Sequence, residues 1–204
     1  MKHTLYPKTQ RIKPDNVTIT ITEKLDGSNL AFFVKDGDLY IAQRNHIHKL
    51  SELEEVKGSL YKGLYAYLSE HGKQLQETMH PNSVVFGEWL GMGKISYPEL
   101  TNCLERWYVF AKGVVDDELR LDKLDYTLDN LRYVFGGELP YFVHTVPVVT
   151  SETRCIPTIA ELDELYDSYT AKVERRVEGF IVVANNSPIK YVRSKNGKLT
   201  EHTF

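Results

Sequence analysis

Thr22-Glu23-Lys24-Leu25-Asp26-Gly27-Ser28-Asn29 is the segment on which the reading of this chain turns. It closes a run of β-branched residues over 17–23, so a strand delivers Lys24 to its own end, where the sheet would hold it. Asp26-Gly27 suits the positive φ of a tight turn and is expected to bring the next strand, 30–35, back beside the first. Outward from this segment, runs rich in β-branched and aromatic residues predict strands at 39–43, 83–89, 106–115, 141–149, 179–184 and 189–195. Lys35-Asp36-Gly37-Asp38 and Asn185-Asn186-Ser187-Pro188 read as hairpin turns. Helical spacing marks 51–79, through Leu53, Val56, Leu60, Leu64, Tyr67 and Leu68, and also 121–135. A third helix is predicted over 157–173, with Pro157 in its first turn and Ile159, Leu162, Leu165 and Tyr166 on one face. With no repeat, low-complexity tract or linker, the pattern gives one α+β domain over 1–204, antiparallel sheets flanked by helices.

Composition narrows the function. A chain of 204 residues, 42% hydrophobic and 26% charged, can bury roughly 70% of its unfolded surface and needs neither disulfide nor metal to fold. Cys103 and Cys155 are its only cysteines and form no C-x-x-C, which argues against a disulfide framework or a thiolate zinc site and for a reducing cytoplasm. Met1 to Pro7 lacks the apolar core of a signal peptide, and no run approaches the ~18 apolar residues of a membrane span. A net charge of -3 speaks against gripping long nucleic acid by bulk electrostatics. Local charge is another matter: 188–204 carries Lys190, Arg193, Lys195 and Lys198 against Glu201 alone. The 13 tyrosines and 8 phenylalanines suit either base stacking or the filling of a β-rich core.

Lys24 carries the chemistry only if it faces a cleft, where cations or apolar groups favour a neutral, nucleophilic amine. An exposed lysine before a hairpin turn gives the same short K-x-D-G pattern. The polar residues that follow break the tie by their order: Arg44 after Ile41-Ala42-Gln43, Glu88 in Phe86-Gly87-Glu88, Phe110 in Tyr108-Val109-Phe110, Glu178-Gly179, then Arg193-Ser194-Lys195-Asn196-Gly197-Lys198. Singly these are an edge carboxylate, a core ring or a solvated basic face. Together they resemble the nucleotidyl motifs of the covalent nucleotidyltransferases, the superfamily of ATP-dependent ligases and capping enzymes, and within it the bacteriophage RNA ligase 2 family. Ser28-Asn29 after the glycine is similar to that family, where DNA ligases and capping enzymes read K-x-D-G-x-R. There are departures. Ala111 follows Phe110 where the family usually has aspartate, and Arg193 stands where lysine is common. Strand alternation favours Arg193 over its rival Lys190, because 191, 193 and 195 share a face.

The resemblance implies a nucleotidyltransferase domain, ATP-grasp-like in the manner of ligases, and a monomeric ATP-dependent RNA ligase that uses Mg²⁺ or Mn²⁺. It places a minimal adenylyltransferase core here, ending soon after the last motif, where larger relatives carry a further C-terminal domain. Lys24 would attack the α-phosphorus of ATP, and AMP would pass to an RNA 5′-phosphate for displacement by a 3′-hydroxyl. Lys195 and Arg193 would disfavour a proton on Lys24 and stabilise the phosphate oxyanion; Glu178 would organise the metal. Glu88 would accept from ribose hydroxyls, Arg44 would fork onto phosphate, and Phe110 would stack on adenine. Glu23 is either an acceptor for the adenine amino group or a plain solvated carboxylate. His46 and His48 flank Ile47 without a third ligand at metal spacing, and Gly91-Met92-Gly93-Lys94 reads as a turn rather than a phosphate loop. A small DNA ligase and an RNA-end-binding module that adenylates without sealing are the competing readings.

Overall fold

A computed structural model describes residues 17–193, apart from 102 and 119. In chain order the strands are β1 (Val17–Lys24), β2 (Ser28–Lys35), β3 (Asp38–Gln43), β4 (Ile47–Lys49), β5 (Ser83–Trp89), β6 (Trp107–Val115), β7 (Leu121–Asp125), β8 (His144–Thr145), β9 (Val148–Arg154), β10 (Gly179–Ala184) and β11 (Ser187–Val192). The helices are α1 (Leu53–Val56), α2 (Leu64–Thr78) and α3 (Ile159–Val173). Two compact units divide the chain, one built from Met1–Lys24 and Pro147–Phe204, the other from Leu25–Val146.

The first unit is a four-stranded antiparallel sheet in the order β11-β10-β1-β9, with α3 packed on one face. Register decides which residues meet the helix. Ile19, Ile21 and Glu23 of β1 stand opposite Ala184, Val182 and Phe180 of β10, and the apolar members of that row join Leu162 and Tyr191 in the core. Side chains alternate between faces, so Thr18, Thr20, Thr22 and Lys24 belong to the other face. Helix α3 starts at a capping box, in which the Thr158 side chain accepts from the Glu161 amide and the Glu161 side chain accepts from the Thr158 amide.

The second unit is built on a seven-stranded sheet, β4-β3-β2-β5-β6-β7 with β8 joined to β6. Its main core places Leu30, Phe32, Ile41, Val85, Trp89 and Val109 against Tyr67, Leu68 and Leu75 of α2. The β2–β3 hairpin turns on Asp36 and Gly37, at φ 52° and 79°, as its Asp-Gly sequence predicts.

Four expectations change. Strand β2 pairs with β3 and β5, not with β1, so Asp26-Gly27 carries the chain from one sheet into another instead of closing a hairpin. The stretch 121–135 is strand β7 followed by a 3-10 turn at Leu131–Phe135, because Leu121 to Asp125 pairs along the edge of β6 and its apolar spacing suited either element. The stretch 141–149 is no single strand: β8 pairs in parallel with β6, and β9 joins the other unit after Pro147. Residues 51–79 form separate helical turns before α2, since Gln43 draws in the intervening chain by donating to Ser59 O and accepting from the Tyr61 amide. Among the described residues no helix is long and apolar enough to cross a membrane.

Candidate active site

Strand β1 ends on Lys24, paired in register with Gly179 of β10. Glu178, the residue before that glycine, accepts a hydrogen bond from Lys24 Nζ at 2.5 Å. The two side chains are 22% and 24% exposed, so the pair is sheltered yet open to a reactant. The contact joins a primary amine and a carboxylate at the end of a sheet.

Glu23 is placed otherwise than the sequence suggested. Alternation turns it to the helix face, where it is 1% exposed, and Arg175 forks onto it from Nη1 to Oε1 at 2.5 Å and from Nη2 to Oε2 at 2.9 Å. Tyr169 adds a donated bond to Oε2 at 2.8 Å. A carboxylate so committed is neither solvated nor directed at an adenine amino group. Neither Arg175 nor Tyr169 stood out in the sequence; the available signal was a charged residue continuing the apolar row Ile19, Ile21, which demands a buried cation.

Arg193 shares the face of Tyr191, as alternation requires, but that face meets α3. Its guanidinium pairs with Asp167 and lies over the Tyr166 ring, 5.2 Å from the centroid, while Tyr191 donates to Asp163 at 2.5 Å. The Asp167 carboxylate raises the pKa of Arg193. Lys190 stands opposite Ile181, which faces with Thr22 and Lys24, so parity puts the passed-over residue on the face of Lys24. Lys195 lies outside the described residues.

In the second unit Asp26-Gly27 is gripped from two sides. The Gly27 amide donates to Glu88 Oε1 at 3.0 Å, and the Asp26 amide donates to the Tyr97 hydroxyl at 2.7 Å. Asp26 Oδ2 accepts from the amides of Lys94 and Ile95 at 2.6 and 3.0 Å. Gly91-Met92-Gly93-Lys94 is thus the clasp on the turn after Lys24. A Cβ at Gly93 would stand 1.8 Å from Asp26 O, a backbone atom that cannot swing aside. Gly93→Ala is expected to cost about 1–3 kcal/mol in urea unfolding, and Met92→Ala, at an exposed position, under about 0.5 kcal/mol; equal midpoints for both would refute the clasp.

Phe110 sits at a β-bulge, since Gly87 pairs with Val109 and Phe86 with Ala111. Bulges re-aim side chains, and Phe110 stays partly exposed beside Leu25, Leu90, Tyr97 and Tyr108. Ala111 is buried, so the position that usually holds aspartate in the resembling family is a core site here. Arg44 is exposed in the turn before β4, its amide donating to Tyr61. His48 is hydrogen bonded to Ser59. Among the described residues no three His, Cys, Asp or Glu side chains cluster as a metal site.

The antiparallel sheets with few helices have the fold of the nucleotidyltransferase-type ligases. An archaeal ATP-dependent RNA ligase, solved in two forms, superposes with TM-scores of 0.52 and 0.53 at 18% and 17% identity, over 92% of this chain and 48% of the ligase. The chain therefore spans about half the length of those ligases. The RNA ligase family model matches residues 17–192, and the chain belongs to that family. Comparison with curated proteins gives no match.

Proposed function

We propose that this chain is the adenylyltransferase core of an ATP-dependent RNA ligase. The observation that carries the reading is the Lys24 amine at the end of β1, held 2.5 Å from Glu178. Family membership and the order of the polar motifs along the chain support it. Lys24 Nζ gives up a proton to the Glu178 carboxylate and forms a bond to the α-phosphorus of ATP as the bond to pyrophosphate breaks. The phosphoramidate then yields AMP to the 5′-phosphate oxygen of an RNA end, and a 3′-hydroxyl attacks that phosphorus, closing the phosphodiester and releasing AMP.

The donor set suits a hydrated divalent ion. Mg²⁺ keeps several waters and needs only one or two carboxylates beside substrate phosphates, and Glu178 supplies one. When bound, Mg²⁺ or Mn²⁺ offsets phosphate charge as a Lewis acid. The chain's other groups bind and orient. Phe110 stacks on adenine, worth about 1–3 kcal/mol; Arg44 forks onto phosphate; Glu88 offers an oxygen to ribose while its partner oxygen holds the Gly27 amide. The role of phosphate cation is proposed for Lys195 alone, because Arg193 is committed to Asp167 of α3. Cys103 and Cys155, both exposed and not joined in a disulfide, suit work in a reducing cytoplasm.

Incubation with α-labelled ATP and Mg²⁺ is expected to label the protein through a phosphoramidate, and addition of 5′-phosphorylated RNA is expected to discharge the label into sealed product. Nicked duplexes with RNA or DNA on the 3′-hydroxyl side separate an RNA ligase from a DNA ligase, and labelled GTP separates either from a capping enzyme. Labelling without sealing would favour an end-binding module, the reading to which the buried Ala111 lends weight. No labelling would overturn the proposal.

A further inference from the structure

We infer that Arg175, with Tyr169, is a positioning residue for the nucleophile, acting on Lys24 through the buried Glu23. The inference rests on Lys24 being that nucleophile, and its structural half stands on geometry alone. Glu23 precedes Lys24 on β1, and Arg175 lies three residues before Glu178 in the link between α3 and β10. Each partner of the 2.5 Å Lys24–Glu178 contact is therefore within three residues of a clamp that ties the two chain segments together.

The clamp is rigid by construction. Two guanidinium nitrogens meet two carboxylate oxygens, and the Tyr169 hydroxyl fixes Oε2 from α3. Glu174 closes α3 in the left-handed region, at φ 53°, and turns the chain into the link, while the Tyr166 hydroxyl donates to Val177 O at 2.7 Å. On the far side of β1 the Glu23 amide donates to Pro147 O at 2.9 Å. The last residues of β1 and the link are thereby set in rotation as well as distance. Apolar packing would hold them together but would let them slide.

Stability alone does not account for such a group, because a buried ion pair is commonly replaced by apolar residues of similar volume without loss. Glu23→Leu/Arg175→Met makes that replacement and leaves Lys24 and Glu178 in place. Two rates are read on it: adenylation of Lys24 with ATP and Mg²⁺, and acetylation of Lys24 by acetic anhydride without nucleotide, followed by mass spectrometry. Adenylation is expected to fall about 30-fold or more, the order of effect that loss of alignment near a reacting atom produces. Acetylation is expected to rise several-fold as the amine leaves Glu178. Arg175→Lys, which keeps the charge but not the fork, should fall between wild type and the double variant in both. A folded double variant with both rates unchanged would overturn the inference. Should the double variant not fold, Tyr169→Phe removes one of the three bonds, and its expected shift of about threefold in each rate, or its absence, decides. If the wild-type protein takes no AMP, the ligase reading fails, and acetylation still tests the clamp.

Discussion

Lys24→Ala and Lys24→Arg are both expected to take no AMP from ATP, a loss on the order of 10³-fold or more in adduct formed per unit time. The arginine variant makes the stricter case. It keeps a cation to pair with Glu178, so fold and local charge survive, but a guanidinium stays protonated and offers no nucleophilic lone pair. A role for Lys24 limited to ion pairing would leave Lys24→Arg near wild-type activity, and that outcome would overturn the nucleophile assignment. Stability should change little in either variant, because an ion pair this accessible is worth about 0–1 kcal/mol. Bond bookkeeping adds a second arm. Sealing of an RNA end that already carries AMP makes and breaks bonds to phosphorus without forming a phosphorus–nitrogen bond. Both variants are therefore expected to join pre-adenylated RNA at a measurable rate while failing on ATP and a plain 5′-phosphate. Loss of both activities together would point to a collapsed site instead of a missing nucleophile.

Local signals in this chain were read correctly where one interaction dominates. Asp36-Gly37 and Asn185-Asn186 adopt positive φ because short polar residues and glycine tolerate it, and the hairpins they close follow. Lys24 does end a strand, and Glu178 does precede one. What was not legible is where each strand goes. Asp26-Gly27 looks like a hairpin, yet the amides of Lys94 and Ile95 and the carboxylate of Glu88 hold it, and the residue that receives the Asp26 amide proton is Tyr97, some seventy positions away. Leu121 and Leu124, three apart, fit a helix until the free edge of β6 offers pairing.

The polar site shows the same limit more sharply. Alternation placed Arg193 with Tyr191, which is correct, but parity does not say which face carries Lys24, and the carboxylates of α3 took Arg193. Glu23 was the opposite case. It was read as an adenine acceptor or a solvated carboxylate, although its place continues the buried row Ile19, Ile21, and nothing local named Arg175, 152 positions on. Positions fixed by neighbours in sequence were readable; those fixed by partners across a sheet were not.

Glu178→Gln is expected to lower the rate of AMP transfer to Lys24 by about 10²–10³-fold, with the fold intact. Glutamine keeps the length of the side chain and an oxygen able to accept from Lys24 Nζ, so the 2.5 Å contact has a neutral replacement. What disappears is the charge: the group can no longer receive the amine's proton or serve as a hard anionic ligand for a divalent ion. Glu178→Asp separates charge from reach. It retains the anion but draws it back by one methylene, and a partial loss of about tenfold is expected, relieved in part by raising Mg²⁺. Added Mg²⁺ should do nothing for glutamine, which has no charge to recruit it. Quantifying adduct against time over a Mg²⁺ series checks both, and a Glu178→Gln protein within threefold of wild type would show that the carboxylate merely parks the lysine. Because the β1–β10 register sets Lys24 opposite Gly179 and so beside Glu178, the same series on Glu23→Leu/Arg175→Met distinguishes a carboxylate that is missing from one that is misplaced: in the second case the response to Mg²⁺ persists while the maximum falls.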